Sequence, residues 1–281
     1  MTDVSTDQVP LTERKQKSMS QRRLLARAAS VVILVSGLLI WEALSRAGVL
    51  PEIILPAPTE IIGAAGSILT SSFLYPHLWS SVSAAVIGFF AGSLLALALG
   101  IPIGSSALLR QVFNPFVVVF QTIPKITLAP VFIVWFGFGA LSKIVLSTVI
   151  CFFPVFVNTV SGLSSLDHRA VNMMRALGAS RFRMLTKLAL PTALPSIFAG
   201  LGAATTLAVI GVVASEFVAS SRGLGYLISL NSFQLRTATV FVLIGLYAIF
   251  GWLLFAVVDI TGRRVVFWHA TSDEWGEEKE L

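Results

Sequence analysis

The order of hydrophobic and polar positions divides the chain into six apolar stretches, parted by short polar breaks and by one long polar interval in the second half. The stretches cover residues 24–45, 78–104, 114–139, 144–165, 193–215 and 238–258. Each is long enough to cross a bilayer as a helix with some tilt. Between the first and second, three prolines within residues 50–58 prevent a continuous helix. Thr59 then reads as an N-cap, and Ile61, Ile62, Ala65 and Ile68 give a short amphipathic helix suited to the outer interface. In the second stretch Gly88 and Gly92, like Gly100 and Gly104, stand four apart, a spacing that lets helix backbones approach closely in lipid. The third is interrupted by Pro115, Pro124 and Pro130. Residues 1–23 are polar without apolar periodicity and are expected to be a disordered cytoplasmic tail, and the acidic tail 269–281 is expected to be mobile.

Composition makes lipid the solvent for this pattern. Of 281 residues, 56% are hydrophobic and only 12% charged, about half the charge of an ordinary soluble domain, and the mean hydropathy is +0.86. The predicted fold is an all-α polytopic membrane protein with six transmembrane helices. A net charge of +6 does not mark a nucleic-acid surface, because the basic residues follow membrane topology. With the first span running inside to outside, fifteen basic residues fall on the cytoplasmic side and four, Arg46, Lys143, Arg222 and Arg236, outside. Both termini are therefore expected in the cytoplasm. The one cysteine, Cys151, excludes an internal disulfide and reads as a small packing residue. His77, His168 and His269 are scattered without metal-ligand spacing. The sequence has no G-x-x-x-x-G-K-[ST] phosphate cradle, nucleophile motif or intramembrane carboxylate pair. No cofactor and no catalysis are expected in this chain, so any ATP that drives it must be bound by another polypeptide.

The long polar interval, 166–192, carries Arg169, Arg175, Arg181, Arg183 and Lys187 between two spans, which places it in the cytoplasm. Met173, Met174 and Leu177 repeat at helical spacing, and Gly178 supplies a reversal after them. Two short helices meeting at Gly178 are predicted.

Five residues are candidates for a translocation pathway: Gln121, Pro124, Lys125, Asn158 and Glu216. Lys125 sits near the middle of the broken third stretch, either facing a path or snorkelling to headgroups after Pro124 ends a short helix. Asn158 fits a hydrogen bond between helices better than a ligand contact. Glu216 either lines an outer gate or pairs with Arg222 at the interface, the pairing being favoured.

Residues 172–191 resemble the cytoplasmic signature of the permease subunits of ABC importers, which runs Glu-Ala-Ala, three residues, Gly, nine residues, then Ile-x-Leu-Pro. Gly178 takes the glycine place and Leu188-Ala189-Leu190-Pro191 falls at the required spacing, whereas Asn172-Met173-Met174 replaces Glu-Ala-Ala. The segment after the first span, and residues 123–125 with 135–139, resemble the nitrate, sulfonate, taurine, thiamine-precursor and riboflavin branch of that family. The resemblance implies a type I importer permease in a prokaryotic plasma membrane, with a coupling loop formed by Asn172, Met173, Met174, Arg175, Ala176, Leu177, Gly178, Ala179, Ser180, Arg181 and Pro191. It implies two ATPase subunits holding ATP and magnesium, a second permease copy or close paralogue, and an extracytoplasmic solute-binding protein. The alternative is an ATP-independent channel or secondary carrier.

Overall fold

The computed structural model describes residues 9–49 and 51–268, and among them every regular element is helical. The first helix, α1 (Val9–Arg46), takes in residues 9–23, which the polar composition had placed in a disordered tail. Lys, Arg, Gln, Leu and Met are strong helix formers, and Pro10 is the last proline or glycine before Gly37, so nothing stops the helix earlier. The acidic stretch 269–281 lies outside the described residues.

Over Ala28–Arg46 only 6% of α1 is buried. Its last turns hold it to the rest of the chain. There Trp41 Nε1 donates to the Pro56 carbonyl at 3.1 Å, and Ser45 Oγ donates to that of Leu55 at 3.0 Å. The proline-rich linker leads into α2 (Pro58–Leu69), whose N-cap is Ala57 and not Thr59. Proline at the first helical position is pre-set for the helix and moves the start back by two residues. Thr59 instead gives its N–H and its hydroxyl to the Glu42 carboxylate, while Glu60 accepts the Ala57 N–H.

The body of the molecule is a three-helix seam of α3 (Leu74–Ser105), α6 (Ala140–Ser164) and α9 (Leu190–Ala219). All four spaced glycines of α3 face α6. A Cβ added at Gly88 would lie 2.5 Å from Ser147 Cβ, one at Gly92 2.5 Å from the Thr148 carbonyl, one at Gly100 3.1 Å from Thr159, and one at Gly104 2.9 Å from Leu163. Gly162, Gly200 and Gly211 do the same between α6 and α9. Close backbone approach of this kind replaces the hydrophobic drive that lipid withholds. Cys151 is fully buried in the seam, its thiol 3.3 Å from the Ala204 carbonyl, a packing role as expected from its apolar setting.

The third apolar stretch is not one helix. It divides into α4 (Ala107–Thr122), a 3-10 turn at Lys125–Leu128 and α5 (Ala129–Phe136), and the two parts meet at 79°. Pro124 bars the preceding residue from the helical region, so the chain turns at Ile123–Pro124. After α6 come α7 (His168–Ala176) and α8 (Arg181–Met184), and past α9, α10 (Leu224–Phe233) and α11 (Thr237–Val265). Among the described residues five helices are long and apolar enough to cross a membrane, six crossings if the bent pair counts as one.

Candidate functional site

The segment between α6 and α9 folds by short-range rules. Asp167 caps α7, its Oδ1 accepting the Arg169 N–H at 2.8 Å. At the other end the Ala179 N–H reaches back to the Met174 carbonyl (3.0 Å) and the Gly178 N–H to that of Arg175 (2.9 Å). These two bonds are the Schellman closure of a helix, and it needs a left-handed residue at Gly178, where φ is +71°. Ser180 then caps α8, accepting the Arg183 N–H at 3.3 Å. Ahead of Pro191, which has no N–H to give, the helix widens into a π turn over Leu185–Ala189 and continues into α9. Asn172, Met173, Met174, Arg175, Ala176, Leu177, Gly178, Ala179, Ser180 and Arg181 thus form one helix–turn–helix. Its exposed surface mixes Met173, Leu177 and Phe182, exposed by 64%, 73% and 73%, with the exposed Arg175, Arg181 and Arg183.

At the opposite end of the bundle lies the only buried ion pair among the described residues, Glu216 with Lys143 at 2.9 Å. Glu216, in the last turn of α9, accepts from Ser81 Oγ (2.8 Å, α3), Tyr247 Oη (2.6 Å, α11) and the Gly225 N–H (2.7 Å, α10) as well. Lys143, in the first turn of α6, spends its remaining donors on Ser80 Oγ and the Arg222 carbonyl. Ser81 Oγ accepts the Leu224 N–H, and His77 Nδ1 accepts that of Gly223. Gly223, with φ +132°, lies so close to the carboxylate that a side chain there would overlap it. Every polar atom of the pair is matched, which is what makes two charges tolerable away from water. Glu216 therefore does not pair with the Arg222 side chain. Arg222 is exposed and contributes its backbone. The residues that the sequence did not single out are Lys143, Ser81 and Tyr247.

The other pathway candidates are scattered around α4 and α6. Pro124 is exposed at the break. Lys125 is half-buried, its Nζ 4.4 Å from the Phe153 ring centre and donating to the Gln121 carbonyl at 3.3 Å. It lines a pocket of about 430 Å³ with Phe120, Ile123, Thr148, Phe152 and Phe153. The Gln121 side chain opens into a separate groove. Asn158 makes no bond between helices among the described residues. Its amide donates at 2.8 Å to the Pro154 carbonyl of its own helix, one turn back and within reach of the side chain, while Gly200 of α9 packs against its Cβ. No group of three potential metal ligands occurs among the described residues.

Comparison with known proteins places this architecture. Residues 88–267 match the family described as binding-protein-dependent transport system inner membrane component. The putative aliphatic sulfonates transport permease protein of Bacillus subtilis is 33% identical over 82% of this chain and 83% of its own length. The riboflavin transport system permease protein of Chloroflexus aurantiacus is 31% identical over 94% and 98%, and the taurine transport system permease protein of Escherichia coli 29% identical over 83% and 86%. Among solved structures, a chain of the inward-facing MetNI methionine ABC transporter superposes with a TM-score of 0.59 at 22% identity, covering 69% of this chain and 96% of that one. The fold is thus that of an ABC importer permease, and the chain is a multi-pass membrane protein that belongs to the family of inner-membrane components of binding-protein-dependent transport systems.

Proposed function

We propose that this chain is the membrane-spanning subunit of an ATP-driven importer that moves a small solute by alternating access. The observation that carries the reading is the loop 166–192: it exposes Met173, Leu177 and Phe182, yet is built rigidly and continues without interruption into α9. A preformed surface of exposed apolar and basic side chains suits docking to a separate ATPase, and a helix running into the bundle suits transmission of its motion. Two such ATPases hold ATP and magnesium, since this chain has no nucleotide cradle. A second copy or close paralogue completes the path, and a solute-binding protein delivers cargo from outside.

The excess of basic residues around the loop and N-terminus supports a prokaryotic plasma membrane with both termini inside. The named relatives support a solute of the sulfonate, taurine or riboflavin class, and the resemblance of residues 123–125 and 135–139 extends the proposed range to nitrate and thiamine pyrimidine precursors. The test is purification in mild detergent from the native membrane, with Leu177→Asp beside the wild type. An ATP-binding subunit should accompany the wild type and be lost with the variant, whose substitution at an exposed site leaves the fold intact. Uptake by a wild type that brings down no ATPase would overturn the reading.

A further inference from the structure

Helix α4 has two unlike faces. At 100° per residue Gln111, Asn114 and Gln121 fall within an arc of about 80°, while Val112, Phe116 and Val119 point the other way. The three amides, with Arg110 and with Ser161 and Ser164 of α6, form the polar part of a groove of about 660 Å³ whose remaining lining is apolar, Val118 between the amides included. Gln111 and Gln121 are ten residues apart, about 15 Å along the axis. The groove therefore climbs from the loop end of the bundle well into its depth. None of the three side-chain amides has a hydrogen-bond partner among the described residues. Turned to hydrocarbon, each would cost several kcal/mol.

Such a face is stable against water, a hydrogen-bonding solute or a polar surface of a second permease copy, and not against lipid tails. Its one charge is Arg110, which gives a single bond, to the Gly104 carbonyl at 2.9 Å, and keeps its other donors. No carboxylate lines it. We propose that this groove is the loop-side half of the solute's path and that it admits small hydrogen-bonding solutes that are anionic or neutral while disfavouring cations. The proposal rests on the importer reading for the word path. The groove's water access and charge preference stand independently.

The experiment uses the full chain in lipid nanodiscs on a Cys151→Ala background, with single cysteines at Asn114, Gln121, Val112 and Val119. Each is reacted with an anionic sulfonatoethyl and a cationic trimethylammonioethyl methanethiosulfonate, and rates are read by mass and scaled to a free thiol. Cysteines at 114 and 121 should react at least about tenfold faster than those at 112 and 119, because thiolate forms only where water reaches. The anionic reagent should be favoured at both, and Arg110→Gln should remove that preference. Unreactive positions 114 and 121, or equal rates on the two faces, would overturn the groove. Equal or cation-favouring rates within a wet groove would overturn its selectivity. No ATPase is needed, so a failed copurification leaves this result readable.

Discussion

At one end of the bundle, side chains from four helices and the backbone of a fifth converge on Glu216 and Lys143, residues 73 positions apart. At the other end, the 166–192 segment closes every turn with bonds between residues two to five apart and leaves its apolar side chains outside. The first region is finished within the single chain. The second is built from local bonds and keeps Met173, Leu177 and Phe182 exposed, the surface that the proposed ATPase docking would cover. One end is therefore built to hold helices together, and the other presents side chains outward.

The largest effect should come from breaking the finished end. Lys143→Met leaves a dry carboxylate without its counter-charge and Glu216→Ala leaves a dry ammonium, and either should cost about 3–5 kcal/mol, read as a large drop in the thermal unfolding midpoint in detergent. Exchanging the charges, Lys143→Glu with Glu216→Lys, should not restore stability. The Gly225 N–H points at position 216 and the Arg222 carbonyl at position 143, so the backbone fixes which sign goes where. Recovery by the swap would show that the helices are held by Coulomb attraction alone.

The same contrast explains what could be read from the sequence. Apolar runs are visible because the bilayer imposes a length, and the Gly178 reversal is visible because its hydrogen bonds stay within six consecutive residues. Sequence alone points Glu216 at Arg222, six residues away, because nearness along the chain is the only distance a sequence offers. Lys143 reads as an outer charge, since no local pattern tells a snorkelling lysine from one aimed at a carboxylate on another helix. The break at Ile123–Pro124 had its signal in the proline, but hydropathy alone carried the stretch 114–139 through as one span. The α3 glycines were legible as close packing, and only the structure names α6 as their partner.

That packing gives the next effect in size. Gly92→Ala would bring a methyl against the Thr148 backbone carbonyl, which cannot swing aside, so α3 and α6 must part at a cost of about 1–3 kcal/mol. Gly245→Ala, in α11 with nothing within 4 Å of the added carbon, should be neutral or gain up to about 1 kcal/mol from helix propensity. Unfolding midpoints that move in opposite directions would locate the glycine requirement in the seam. Equal losses would show that the seam is no tighter than the lipid-facing surface.

The smallest effect belongs to the outward-presenting end, and its readout differs. Space around Gly178 is open, so a side chain there meets no neighbour, and only the left-handed backbone resists it. Gly178→Ala should cost about 1–2 kcal/mol locally, while Gly178→Asn, which tolerates that conformation, should recover most of it. Neither change touches the seam or the buried pair, so the global unfolding midpoint should stay near that of the wild type. What should change is the alignment of Leu177 and Phe182 across the turn, and with it the affinity for the ATPase, falling in the order glycine, asparagine, alanine. A midpoint that fell as far as for Gly92→Ala would mean that the two ends are one cooperative unit, and the division between them would fail.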